Sequence, residues 1–130
     1  MSPSKGWHGA YQARIAHLLA SQLPEGLVIT ECPVDTPKGT KVPDVGWYRR
    51  ERIESHWRES SYPLAPDVCV EILSASNAAE SIEEKKALLF GLGALEFWTC
   101  DDAGVLCFFD SRGQSPQSRI CPDFPQRIEL

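Results

Sequence analysis

The run Asp67-Val68-Cys69-Val70-Glu71-Ile72-Leu73 constrains this chain more than any other segment. A near-continuous apolar run of that length suits a central strand covered on both faces of its sheet. Such a sheet needs helices to cover it, and the chain offers two. Within Trp7–Leu23, Tyr11, Ile15, Leu18 and Leu19 recur at the spacing of one buried helix face, and Pro24 and Gly26 end the segment. A second helix spans Ala78–Leu92, with turn and N-cap residues in Ser74–Asn77 and glycines 91 and 93 at its end. Leu27–Cys32, Val42–Arg49, Leu95–Thr99 and Val105–Asp110 read as further strands. Asp35–Thr40 is a turn, and Asp101-Asp102-Ala103-Gly104 joins the last two strands as a hairpin. Residues 50–65 read as a loop with one helical turn. From Ser111 onward the chain is polar, with little core to contribute. The order helix, strand, strand, strand, helix, strand, strand predicts an α/β (α+β) fold, a mixed sheet flanked by helices.

Composition narrows the function classes. A chain of 130 residues is about one domain's worth, and 42% hydrophobic with 24% charged is ordinary for a globular protein. No apolar run approaches the roughly 20 residues of a membrane helix. Met1–His8 lacks the form of a secretion signal. A cytoplasmic protein with no membrane partner is the expectation. The five cysteines include no C-x-x-C pair, which speaks against a disulfide framework and a structural zinc site. Cys69 and Cys107 lie in apolar runs and read as buried thiols. None of the five sits on a recognisable nucleophile turn beside His8, His17 or His56.

Function should show where a polar residue interrupts a buried pattern, because buried charge is costly unless paired. Three residues do so. Glu71 stands inside the central run, either as half of a buried salt bridge or as an acid at a cleft. Asp44 follows Pro43 and opens an alternating strand, where Asp is disfavoured; alone, it suits a turn-proximal edge. Lys86 lies in the second helix. With Ile82 at zero, Leu89 falls near about 340°, Phe90 near 80°, Lys86 near 40° and Lys85 near 300°. Lys86 therefore points along the middle of the apolar arc, to snorkel outward or to meet an anion. Two carboxylates on neighbouring strands make an all-oxygen site suited to Mg²⁺. A nearby ammonium would orient water or neutralise charge on a phosphorus centre.

The same residues carry a resemblance. Lys41-Val42-Pro43-Asp44-Val45, the block from Ala65 to Asn77, and Glu84-Lys85-Lys86 through Gly93-Ala94-Leu95-Glu96-Phe97-Trp98 resemble the Uma2 family, also called DUF820. Its members are endonuclease-like proteins of the PD-(D/E)XK superfamily, with a restriction-endonuclease-like fold. The likeness covers roughly residues 8–110 and leaves 111–130 as a polar C-terminal segment of a single domain. It implies that Asp44 and Glu71 are catalytic and bind metal. The superfamily's usual lysine position holds Leu73, and the family's helix lysine matches Lys86. Glu31, at the end of the preceding strand, is an additional candidate acid. His8 matches a histidine common at the start of the family's first helix, where it would serve either the helix or the substrate. Ala75 replaces the family's usual proline in the Ser-Pro-Ser turn. The family's segment before the first helix is short here, which would weaken dimer contacts or one sheet edge.

The expectation is a Mg²⁺-dependent DNA endonuclease, with Mn²⁺ able to substitute, acting as a homodimer because cutting two strands calls for two sites. The competing reading is an inactive nuclease-fold binding protein; a third is a hydrolase of RNA or another phosphoester. The net charge of −5 speaks against a surface that is basic throughout. Lys38–Arg58 nevertheless holds six basic and three acidic residues. In that excess Lys41, Arg49 and Arg50 are candidate substrate contacts beside Asp44. Weak, salt-sensitive binding follows from so small a footprint.

Overall fold

Six strands form one sheet in the order β1-β4-β5-β6-β7-β8, and the apolar run lies near its middle. The computed structural model describes residues 5–74 and 79–130. The elements are α1 (Gly6–Gln22), β1 (Gly26–Thr30), β2 (Val34–Thr36), β3 (Gly39–Lys41), β4 (Val45–Arg49), α2 (Arg50–Ile53), β5 (Val68–Ile72), α3 (Ala79–Gly91), β6 (Glu96–Cys100), β7 (Leu106–Asp110) and β8 (Gly113–Ser115). β5 is buried along its whole length, the sequence expectation for a strand covered on both faces. It pairs in parallel with β6, while every other pairing of the sheet is antiparallel. A parallel pair needs a crossover, and α3 provides it.

Alternation along the strands sorts the core into two layers. Val45, Trp47, Val68, Val70, Ile72 and Trp98 face α1, whose Tyr11, Ile15 and Leu19 are buried against them. Tyr48, Cys69 and Phe97 face the other way, toward Ile53 and Leu89 of α2 and α3. Gly46 sits where the strand meets Pro66: a Cβ there would lie 2.5 Å from the proline ring, so only glycine lets the two segments close.

Several features depart from the sequence reading. The turn at 35–40 is a small separate hairpin of β2 and β3. The proposed turn and cap at 75–78, Ala75 included, lie outside the described residues. The C-terminal segment, expected to add little core, closes the α1 face. Cys121, Phe124 and Ile128 are buried there, with the Phe124 ring 4.7 Å from that of Trp98. Its apolar residues are spaced too widely among Pro, Arg and Gln to make a periodic pattern, so only tertiary context reveals them. Burying the Phe124 side chain alone is worth about 2 kcal/mol. The segment is fastened by Glu96, whose carboxylate accepts from the Arg119 and Ile120 amides at 3.0 Å each and from Trp98 Nε1 at 2.8 Å. Cys69 is buried as expected; Cys107 is half-buried, and no described cysteine is bridged. Among the described residues no helix is long and apolar enough to cross a membrane.

Candidate active site

The antiparallel register of β4 and β5 pairs Val45 with Val70. Continued by one residue, it sets Asp44 opposite Glu71 at the end of two central strands. Both acids are buried, at 8% and 5% exposure. Asp44 Oδ2 accepts from the Ile72 amide at 2.7 Å, which fixes its rotamer. Its Oδ1 stands 3.4 Å from Nε2 of His8, at the start of α1. The His8 ring is largely buried, and its Nδ1 has no hydrogen-bond partner among the described residues.

The ammonium at the pair belongs to Lys85. Its Nζ forms an ion pair with Glu71 Oε2 and donates to the carbonyl of Val42 at 2.9 Å. Lys86, the expected lysine, turns to the other side of α3. It pairs with Glu83 Oε1 at 3.0 Å and lies 4.2 Å over the Phe109 ring on β7. The physical reason lies in the choice of arc centre. Phe90 is only half-buried, and Leu89 is the buried residue of α3. Centred on Leu89, the wheel places Lys85 about 40° to one side and Lys86 about 60° to the other. One lysine reaches the β4–β5 end and the other reaches β7.

Burial pushes the Glu71 carboxyl up to about 8, helped by the adjacent Asp44 carboxyl and opposed by Lys85. The ammonium stands on Glu71, and beside the Asp44 carboxylate stand the Ile72 amide and the His8 ring, so the pair is short of positive charge. Among the described residues no group of three or more His, Cys, Asp or Glu forms a ready metal cage. A pair of carboxylates still fits Mg²⁺, which takes one or two from the protein and keeps several waters. Asp44 and Glu71 would hold it.

The other candidates separate. Glu31 lies close: its amide donates to the Asp44 carbonyl at 3.0 Å, and its φ of +49° is the one positive value at a described non-glycine residue. Lys41 ends β3, three residues before Asp44, and neighbouring Lys38 pairs with Glu84 of α3 at 3.2 Å. Arg49 and Arg50 do not join the site. They lie at the opposite end of β4, about 17 Å along the strand from Asp44. Arg49 Nε is 3.6 Å from Asp67 Oδ2, and Arg50 donates to the Gly26 carbonyl at 3.0 Å. The basic excess of 38–58 is therefore split between the two ends of β4, with Lys41 near Asp44 in sequence and Arg49 and Arg50 at the far end. The sequence reading missed Gln12, whose Nε2 donates to the Asp44 carbonyl at 2.9 Å and reaches Glu31 Oε1 at 3.3 Å. A signal was present. With Tyr11 at zero, His8 falls near about 60° and Gln12 near 100°, within and beside the arc of Ile15 and Leu19.

A mixed sheet with a carboxylate pair at the ends of adjacent central strands, and a lysine from the crossover helix, defines the nuclease-fold class. The fold comparison agrees: the crystal structure of a "putative nuclease belonging to DUF820" from Anabaena variabilis ATCC 29413 superposes with a TM-score of 0.75. At 19% identity, the match covers 88% of this chain and 68% of that one. The Uma2 family model, described as "putative restriction endonuclease", matches residues 1–130. The chain belongs to the Uma2 family. No curated protein matches it.

Proposed function

We propose that this protein is a divalent-cation-dependent endonuclease that hydrolyses phosphodiester bonds in DNA. The observation that supports it is the facing of Asp44 and Glu71 across β4 and β5, with the Lys85 ammonium on Glu71. A bound Mg²⁺ would supply Lewis-acid charge and a water acidic enough to attack. The chain's own residues do the rest. Asp44 is held by the Ile72 amide so that its other oxygen stays free of the backbone. Burial raises the proton affinity of Glu71, so cation and proton compete for it. Lys85 brings a fixed positive charge to where phosphate oxygens would gain negative charge. Lys86 is outside this arrangement, and in this reading Lys41, three residues before Asp44, would meet a backbone phosphate. A homodimer acting on the two strands belongs to the same reading.

The test is cleavage of supercoiled plasmid, duplex oligonucleotide, single strand and RNA in Mg²⁺, Mn²⁺ and EDTA. Cleavage of duplex DNA in either cation, lost in EDTA and in Asp44→Ala, is the expected result. Cutting of RNA alone would replace the substrate. Absence of cleavage on all four, together with no heat of Mg²⁺ or Mn²⁺ binding by calorimetry, would leave a nuclease-fold binding protein instead.

A further inference from the structure

Helix α1 touches the site at two points one turn apart. His8 faces the Asp44 carboxylate, and Gln12 holds the Asp44 backbone. The carbonyl of Asp44 receives two donors, the Gln12 side chain at 2.9 Å and the Glu31 amide at 3.0 Å. The same Gln12 nitrogen reaches the Glu31 carboxylate at 3.3 Å. Glu31 is held at φ +49°, a conformation that costs a non-glycine residue of order 1 kcal/mol or more and persists only where the surroundings fix it. Glycine would suit that backbone better. A glutamate there, bridged by Gln12 to the acid that faces Glu71, needs another reason.

We infer that Gln12 is a positioning residue for Asp44: it ties α1 to the β1–β4 end and sets the angle at which Asp44 meets Glu71, with Glu31 as its anchor. This rests on the proposed nuclease reading for its catalytic consequence, but not for its structural one. Asp44 lies just before β4, where the ladder to β1 ends at Val45 and Thr30. Without Gln12 the Asp44 carbonyl keeps only the Glu31 amide as a donor, and the turn, still held by the Cys32 amide on the Pro43 carbonyl and by the Ile72 amide on the carboxylate, loses its backbone tie to α1. The small displacements this allows cost catalysis far more than folding.

The experiment compares Gln12→Leu, Gln12→Lys and Glu31→Gly with the wild-type chain by amide hydrogen exchange, melting temperature and cation-supported cleavage. Leucine keeps the volume and removes the donor; lysine restores a donor of sufficient reach. In Gln12→Leu the amides of Glu31 and Ile72, both bonded to Asp44, are expected to exchange about tenfold faster with little change in melting temperature. In the same variant kcat is expected to fall by about 10- to 100-fold with KM unchanged. Gln12→Lys should recover most of both. Glu31→Gly should melt higher yet cut more slowly. Unchanged exchange at both amides in Gln12→Leu would overturn the inference, as would a loss of kcat that lysine does not restore. Faster exchange in a protein whose wild type cuts nothing would retain the clamp and reject the nuclease reading.

Discussion

The two ends of β4 and β5 each bury an aspartate that follows a proline, and the two are built oppositely. At one end Asp67, 2% exposed, is surrounded by donors. Arg52 pairs with it, the Arg49 amide donates at 3.1 Å, and Arg49 Nε lies 3.6 Å away. One negative charge faces two guanidinium groups, and the acid also caps the start of α2. At the other end the one lysine pairs with Glu71, and the Asp44 carboxylate faces the Ile72 amide and the His8 imidazole. The first arrangement is complete without a ligand. The second is left with negative charge that a cation or a proton would relieve. Burial of an acid by itself therefore says little; the balance of partners around it separates a structural lock from a binding site.

Substitutions at the two ends should have opposite consequences. Removing either site acid, by Asp44→Ala or Glu71→Ala, should lower cleavage by about a thousandfold while circular dichroism stays native. Lys85→Ala should lower it by about a hundredfold. Asp67→Asn, at the locked end, should reverse the pattern. Its unfolding free energy should drop by about 2 kcal/mol, since Arg52 is partly exposed and can rehydrate, and its specific activity per folded molecule should hold. Cleavage lost in Asp67→Asn without loss of stability would undo the contrast.

Glu71→Gln sharpens it through pH. The folded-state value of Glu71 is raised from the ordinary 4.5 to about 8, so the folded protein binds this proton more tightly than the unfolded chain. Its contribution to stability is fully present below about 4.5 and is lost as pH rises through 8. Denaturant titrations from pH 4.5 to 8 should therefore show wild type losing stability relative to Glu71→Gln, and Mg²⁺ should remove part of the difference. Parallel curves would mean that Lys85 already balances the pair. The smallest effect is expected from Lys86→Ala. Cleavage should be unchanged, and stability should fall by about 0.5 to 1 kcal/mol from the lost contact with Phe109.

Much of this was legible in the residues. The apolar run announced a central strand, and Glu71 in its interior announced that something charged stands beside it. Asp44 and Glu71 could be named from pattern breaks and resemblance, because both violate a period. Choosing between Lys85 and Lys86 could not be done from the wheel. Adjacent residues differ by 100°, and which side of α3 faces which strand is fixed by the crossover and not by the helix. Gln12 disobeys its helix period too, but glutamine at the edge of an arc carries no charge to flag it. Arg49 and Arg50 seemed near Asp44 because they follow it closely in sequence, yet an extended strand carries them away by the most direct route. The Pro-Asp pairs at 44, 67 and 123 look alike in sequence. Their partners, not their motifs, distinguish the first two, and the third is exposed.

The lysine of the site rides on the connection between the sheet's two parallel strands. It reaches Glu71 only when β5, α3 and β6 are packed together. A chain that has joined β4 to β5 without that crossover brings two acids together with nothing between them, and the pair resists being closed. Such a chain therefore has the two acids without the ammonium, and the arrangement at Glu71 is complete only in the fully packed sheet.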